Sequence, residues 1–325
     1  MNNLLKNLRH IAKRVFDPAE YKKFLDLAAR FPNLNLYNML LLYYQMPSAT
    51  LIAGQNAWQD NYGLSVKDDE RAICMVRPTL VDEEEITLGY AQIGVFDVSQ
   101  LVKMPEIKKE EFSIPDFFYE STGCVMAYDT EGILGEKKYE YLDDEFIVPV
   151  NEHLSDAENE KNAWKQMLIA FVEDHSDLED ATVEDKALKQ GVQYILCKRY
   201  SLEPVKFSTV FVNQCKHKGL QFLLQLLETA NSIIEQIENR ASVEFNFIDM
   251  AFINLLIEAN SKEEYDSILD LEIEDDDSIL SNGRAKFVEK LEVLSSADFN
   301  RIFADRQNNR MLTQPPYKIK LIEEY

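Results

Sequence analysis

Apolar residues recur every three or four positions along the opening of the chain, the pattern of helices with one inward face. Leu4, Leu8, Ile11 and Val15 form such a stripe over about residues 3–16, with Lys6, Arg9, Lys13 and Arg14 placed elsewhere around the turns. "DPAE" then restarts the helix. Asp17 stands where a cap belongs, Pro18 suits the first helical position, and Glu20 falls where a capping box needs it. Tyr21, Phe24, Leu25 and Ala28 carry the stripe onward until "FP" stops it. A third helix, about 36–46, is predicted after Asn35, a capping type, and before Pro47, with Tyr37, Leu40, Leu41 and Tyr44 facing inward.

The pattern then changes. "ATLIAGQNAWQDNYGLSVKDDERAICMVRP" predicts a short extended piece, a short helix around Trp58, a turn at Gly63 and a strand over 71–77. "ITLGYAQIGVFDV", 86–98, reads as another strand or a hairpin pair, with Gly89 and Gly94 as bends or bulges, joined to the previous strand by the acidic turn 82–85. A small domain is expected to close near Gln100. Beyond it, "GCVMAY" and "EFIVPV" are strand-like, helices are expected over 157–175 and 183–200, and "PVKFSTVFV" is read as strand-like. A long helix over about 216–238 carries Leu220, Leu223, Leu227, Ala230, Ile234 and Ile237 on one stripe. The fold class is therefore α+β: domains at 1–102 and 103–240, and an acidic, mostly helical extension over 241–325.

An apolar fraction of 46% with 11% aromatics supports packed cores, and no run is long and apolar enough for a membrane span. The first residues mix cations into an apolar pattern, unlike a signal peptide. Cys74, Cys124, Cys197 and Cys215 show no paired metal-ligand spacing. Reduced thiols in a cytoplasmic protein are expected. The net charge of −23 is uneven: residues 1–80 carry ten Lys/Arg against seven Asp/Glu, whereas the remainder carries 24 against 50. Nucleic acid would be repelled by most of this surface and tolerated only near the N-terminus.

Candidate chemistry is sparse. Tyr43, Tyr44, Trp58 and Tyr62, near Lys67 and Arg71, suit base stacking and phosphate contact; the competing reading makes the aromatics core anchors and the cations solvated. Asn38 and Gln45, two turns apart, suit base reading or internal hydrogen bonds. His10, His153, His175 and His217 form no i,i+4 pair. His175 beside Asp174 and Glu173 resembles a polar helix end more than a proton relay. Cys197, next to Lys198 and Arg199, sits among Ile195, Leu196 and Tyr200 as a buried helical thiol would. No Gly-rich phosphate loop or GxSxG is present, and the acidic runs at 82–85 and 272–277 lack the turning glycine of a calcium loop.

"NLYNMLLLYYQMPSATLIAGQNAW" resembles the N-terminal domain of the ArdC and LtrC-like proteins of conjugative elements, a domain described as single-stranded-DNA-binding. The family's Tyr-Asn pair, Gln, Pro, Ala-Thr, Ala-Gly and Trp are matched by Tyr37 with Asn38, Gln45, Pro47, Ala49 with Thr50, Ala53 with Gly54, and Trp58. "VFDVSQ", 95–100, matches the block that ends the domain. The family's basic turn before a strand reads here "GLSVKDDERAI": its arginine is absent and Asp69 and Glu70 are present, with Lys67, Arg71 and Arg77 as the remaining cations. The resemblance implies a nucleic-acid surface made from Asn38, Tyr43, Gln45, Trp58, Tyr62, Lys67, Arg71 and Arg77.

The family's second domain resembles a zincin, an HExxH zinc peptidase in which two helical histidines and a later acidic residue hold metal. Matching helix ends at "VEDH" puts those histidines at Met167 and Phe171 and the glutamate at Leu168. The later acidic ligand falls on Leu188 or Gln190 in "LKQGVQY". The resemblance therefore implies a zincin-like domain without its metal site and without a cofactor. The expected function is that of a non-catalytic accessory protein of a mobile element, binding single-stranded DNA or a DNA-processing complex. The alternatives are an acidic interaction or anti-restriction module engaging a basic DNA-processing or defence protein, and a zinc peptidase with an unrecognised site. No membrane partner is expected.

Overall fold

The computed structural model describes residues 2–32, 34–82, 87–109, 112–175, 182–238 and 317–320. It is an α+β fold. The chain divides into two compact units, Met1–Glu110 with Lys218–Leu227 and Ser242–Tyr325, and Glu111–His217 with Glu228–Ala241.

The first unit opens with the three helices that the apolar periodicity predicts: α1 (Asn2–Val15), α2 (Pro18–Arg30) and α3 (Leu36–Gln45). Leu8, Ile11 and Val15 of α1, and Tyr21, Phe24, Leu25 and Ala28 of α2, are buried. Asn35 caps α3 by accepting the Asn38 N–H at 2.8 Å. The capping box expected at α2 does not form. Asp17 occupies the N-cap position without a side-chain cap bond, and the Glu20 carboxylate that would complete the box is engaged by Lys23 and the Tyr43 hydroxyl. Leu36 through Tyr43 are all buried, so α3 is a core helix rather than a one-faced one. Tyr44, expected inward, is 61% exposed; Tyr43 takes the inward direction.

β1 (Ile52–Gly54), α4 (Gln55–Tyr62), β2 (Ile73–Asp82) and β3 (Thr87–Asp97) follow. Gly63, with φ of 63°, ends α4 in the left-handed conformation that glycine adopts without strain. The strands form an antiparallel sheet in the order β1-β3-β2. β3 is one continuous strand, not a hairpin pair. Gly89 and Gly94 lie within it opposite Thr79 and Cys74, and the register irregularity falls between Leu80 and Asp82. A Cβ at Gly94 would stand 3.0 Å from that of Ala72, so this glycine permits close approach rather than a bend. The expected acidic turn lies outside the described residues beyond Asp82. A 3-10 turn over Val98–Gln100 ends the sheet. β4 (Glu106–Lys109) pairs antiparallel with a segment at 317–320, in the region where the periodicity predicts a mostly helical extension. The rest of 239–325, including the acidic run at 272–277, lies outside the described residues.

The second unit contains α5 (Ile114–Thr122), β5 (Val125–Asp129), β6 (Glu140–Leu142), β7 (Glu145–Pro149), α6 (Asp156–His175), α7 (Val183–Arg199) and α8 (Thr209–Cys215). α5 is capped by Ser113, carries Pro115 in its first turn and ends on left-handed Gly123. Thr182 and Asp185 close a full capping box at α7. The sheet order is β5-β7-β6, with β5 parallel and β6 antiparallel to β7. "PVKFSTVFV", read as strand-like, is instead irregular chain over 204–208 followed by the first residues of α8. The Ser208 hydroxyl caps that helix through the Phe211 N–H. Propensity yields to a local cap here. α9 (Leu220–Ile237) and β8 (Tyr317–Lys320) complete the described elements. Among the described residues no helix is long and apolar enough to cross a membrane.

Candidate functional site

In the first unit the residues matched to the DNA-binding motif form a network that holds the sheet. The Asn38 side-chain amide donates to the Val76 carbonyl at 2.8 Å and accepts the Val76 N–H at 2.9 Å. Two turns along α3, Gln45 repeats the arrangement on Cys74, donating at 2.8 Å and accepting at 2.9 Å. Val76 and Cys74 are two apart on β2, so their N–H and C=O groups point to the same side, away from β3. Two carboxamides thus finish the open edge of the strand as a neighbouring strand would. Asn38 is 1% exposed and Gln45 is exposed, and each has both ends of its amide committed.

Trp58 is 0% exposed, and its indole N–H donates to the Phe96 carbonyl at 2.9 Å, so the ring presents no face to a base. Tyr43 is also buried. Its hydroxyl donates to Glu20, and burial followed by that carboxylate pushes its ionisation well above the usual phenol range. Tyr62 is half-buried with its ring centre 6.0 Å from that of Trp58. Lys67 is exposed, but its ammonium donates to the Ser99 carbonyl at 2.7 Å. Arg71 is exposed in a stretch that also contains Asp68, Asp69 and Glu70. Arg77 faces Ala91 across β2 and β3; its side chain lies outside the described set. Among the described side chains, the buried Trp58 and Tyr43 rings and the exposed Lys67 and Arg71 do not share one open stacking surface. Asn38, Tyr43 and Trp58 serve the interior of the fold, and Gln45 holds the exposed part of the strand edge.

The closing block "VFDVSQ" works in the same way. Buried Asp97 accepts the N–H groups of Thr50 at 2.7 Å and Leu51 at 3.1 Å through one oxygen, and that of Ser99 at 3.0 Å through the other. Gln100 accepts the Asp97 N–H and donates to the Arg71 carbonyl and to Glu70. Periodicity misses these two residues as structural centres, although an Asp three positions before a Gln is a capping-box spacing that sequence alone can show.

In the second unit, none of the positions matched to zinc ligands carries a histidine, a cysteine or a carboxylate. Met167, Leu168 and Phe171 on α6 are each 1% exposed and Leu188 on α7 is 0% exposed. Phe171 packs edge-on against Phe117 at 4.9 Å. Gln190 uses its side-chain oxygen to accept the Ser208 N–H at 2.7 Å. A thioether, an alkyl group and a phenyl ring offer zinc none of its usual nitrogen, thiolate or carboxylate donors, so this donor set does not fit the metal. Among the described residues no group of three or more His, Cys, Asp or Glu is gathered to hold an ion.

The end of α6 has a different polar arrangement. Tyr139 donates to Glu173, and Tyr141 donates to Asp174 at 2.6 Å. Burial and these carboxylates push both phenols up. The two bonds tie the β6 hairpin to the helix and occupy both acids. His175 ends α6, and its side chain lies outside the described set. Cys197 is 0% exposed, and burial raises its thiol to about 11, the opposite of an activated nucleophile. Its neighbour Arg199 forms a 2.6 Å ion pair with Glu238, both side chains 0% exposed.

One described segment of this unit is rich in unburied carboxylates. Residues 116–160, from α5 through the sheet to the start of α6, contain thirteen Asp/Glu and two lysines. None of the thirteen is buried. Sequence reasoning placed the negative charge in 81–325 as a whole and did not single out this segment.

No protein-family model matches the chain, and no curated protein is similar to it. Among solved structures the fold is similar to the antirestriction protein ArdC of plasmid R388 in its Mn(II)-bound crystal structure. The TM-score is 0.43 and the identity 14%, with 73% of this chain and 98% of that chain covered.

Proposed function

We propose that the protein is a non-catalytic accessory protein that engages a basic protein partner through the acidic face of its second unit. The motif resemblance of residues 37–58 and 95–100 suggests the setting, a mobile genetic element and its encounter with DNA-processing or defence proteins. The observation that carries the reading is the thirteen-to-two excess of unburied carboxylates over residues 116–160. Such a field attracts Lys/Arg-rich surfaces, repels nucleic acid and accelerates encounter in a salt-dependent way. The non-catalytic part of the proposal is supported by the lack of nitrogen, thiolate or carboxylate donors at the matched metal-ligand positions and by the bonded carboxylates at the end of α6.

A second reading keeps nucleic acid as a ligand of the first unit, on different residues from those the motif selects. Residues 1–30 carry seven Lys/Arg against three Asp/Glu, and Lys13, Arg14, Lys22 and Lys23 are exposed on α1 and α2. Contacts of this kind are to phosphate and carry no base preference.

Titrating the full chain against a fluorescent Lys/Arg-rich peptide, a neutral peptide and a single-stranded oligonucleotide, at about 50 mM and about 200 mM salt, separates the readings. The primary reading expects the basic peptide alone to bind, more weakly at the higher salt. Equal binding of the neutral peptide overturns it. Oligonucleotide binding that disappears in a Lys13→Glu/Arg14→Glu variant establishes the second reading. Stoichiometric zinc retained by the purified protein overturns the non-catalytic part.

A further inference from the structure

β5 is an outer strand whose exposed side is made for pairing. In the order β5-β7-β6 it has β7 on one side, and among the described residues no strand pairs with its other side. The Val125 N–H donates inward to the Asp144 carbonyl at 2.9 Å, and the parallel register runs from Val125↔Glu145 to Asp129↔Pro149. In a parallel ladder each residue directs its N–H and C=O to one side, and the side alternates. Val125, Ala127 and Asp129 therefore bond towards β7, while Met126 and Tyr128 present N–H and C=O groups outward.

Edge strands are ordinarily blunted by lysine, proline, a bulge or a covering element. "VMAYD" contains neither lysine nor proline, and its register with β7 is unbroken. Val125 is 51% exposed and Tyr128 is 37% exposed, whereas Phe146, Ile147 and Val148 of β7 are buried. The strand is thus apolar, open and regular. Carboxylates stand near it: Glu160 and Asp156 act on the Tyr128 phenol, and Asp144 and Glu145 lie opposite Val125 on the β7 side, all within the segment with thirteen carboxylates and two lysines.

We infer that the outer edge of β5 is a docking site for an extended, Lys/Arg-bearing polypeptide segment, added as a fourth strand beside Val125–Asp129. The inference rests on the acidic-face reading above and gives it a geometry. Main-chain bonds to Met126 and Tyr128 would supply the pairing, and the partner's cations would meet the surrounding carboxylates. The charge excludes a nucleic-acid strand as the occupant, since phosphate would meet like charge.

The test uses the full-length protein and a labelled peptide of alternating lysine and valine. A second peptide of the same sequence is N-methylated at alternate residues, which removes its donors and keeps its charge. Met126→Pro deletes one outward N–H and leaves the inward ladder with β7 intact; Tyr128→Lys places a gatekeeper cation on the edge. Both variants should keep the wild-type circular dichroism and melting temperature. The expected result is that N-methylation and each substitution weaken binding about tenfold or more, while a labelled oligonucleotide does not bind. If the unmodified peptide binds but methylation and both substitutions leave its affinity unchanged, the edge proposal falls and the acidic-face reading stands. If the peptide fails to bind at low salt, both fall. A wild-type dimer by sedimentation that Met126→Pro turns into monomer would identify a second copy as the occupant and overturn the proposal.

Discussion

Replacing Asn38 with leucine isolates what the motif's polar residues do. The side chain is 1% exposed and makes two bonds to the backbone of Val76, at 2.8 and 2.9 Å. Leucine would fill the space and leave the Val76 N–H and C=O facing hydrocarbon. Each buried group left unpaired costs about 1–3 kcal/mol, and the added apolar burial returns about 1 kcal/mol, so a net loss of about 3 kcal/mol is expected. Gln45→Leu removes the same pair of bonds from Cys74, at an exposed position where water can replace them. It should cost less than about 1 kcal/mol. The assay is native-state amide exchange at residues 74 and 76 together with urea unfolding of both variants. Asn38→Leu should release the Val76 amide and lower the urea midpoint, and Gln45→Leu should do neither to the same degree. Equal destabilisation by the two, or a Val76 amide still protected in Asn38→Leu, would show that the carboxamide does not hold the strand edge and would reopen Asn38 as a ligand contact.

Arg199→Ala should destabilise the second unit by about 3–5 kcal/mol in chemical denaturation, because Glu238, 0% exposed, loses its cation. An Arg199→Met/Glu238→Leu double variant should recover most of that loss, and a double variant no better than the single one would refute the account. Glu228, whose carboxyl is raised by burial from 4.5 to about 7, favours the folded state in its neutral form. Its contribution is whole below the unfolded pKa and disappears as the pH rises through about 7. Glu228→Gln should therefore gain roughly 3 kcal/mol over wild type at pH 8 and little at pH 4, and parallel urea stability profiles would count against it. Alkylation of the native chain followed by mass spectrometry should label half-buried Cys74 well before Cys197, and early labelling of Cys197 would contradict its burial.

Much of the helical framework can be read from local pattern. The stripes at Leu8, Ile11 and Val15 and at Tyr21, Phe24 and Leu25, the Asn35 cap and the Gly63 stop all stand where periodicity and cap chemistry put them. These are short-range effects, decided by residues within a turn or two of one another. The departures occur where another hydrogen-bonding group competes, near or far along the chain. Glu20 leaves its expected capping box for Lys23 and Tyr43, the latter 23 residues away. The "KFSTVFV" stretch loses its strand character to a cap at Ser208.

The candidate site was less legible. Asn38, Gln45 and Trp58 are uncommon residues at fixed spacing, and spacing alone does not distinguish a ligand contact from an internal bond. Their partners, Val76, Cys74 and Phe96, lie 29 to 38 residues away on strands whose register no local pattern states. The sequence by itself determined the first three helices and their apolar faces, the absence of an HExxH motif and the imbalance of charge, because each depends on neighbours along the chain or on composition. Tertiary structure alone decided which polar residues are consumed in holding the first sheet, and which strand of the second is left open among carboxylates. Burial and strand order arise only when distant segments meet.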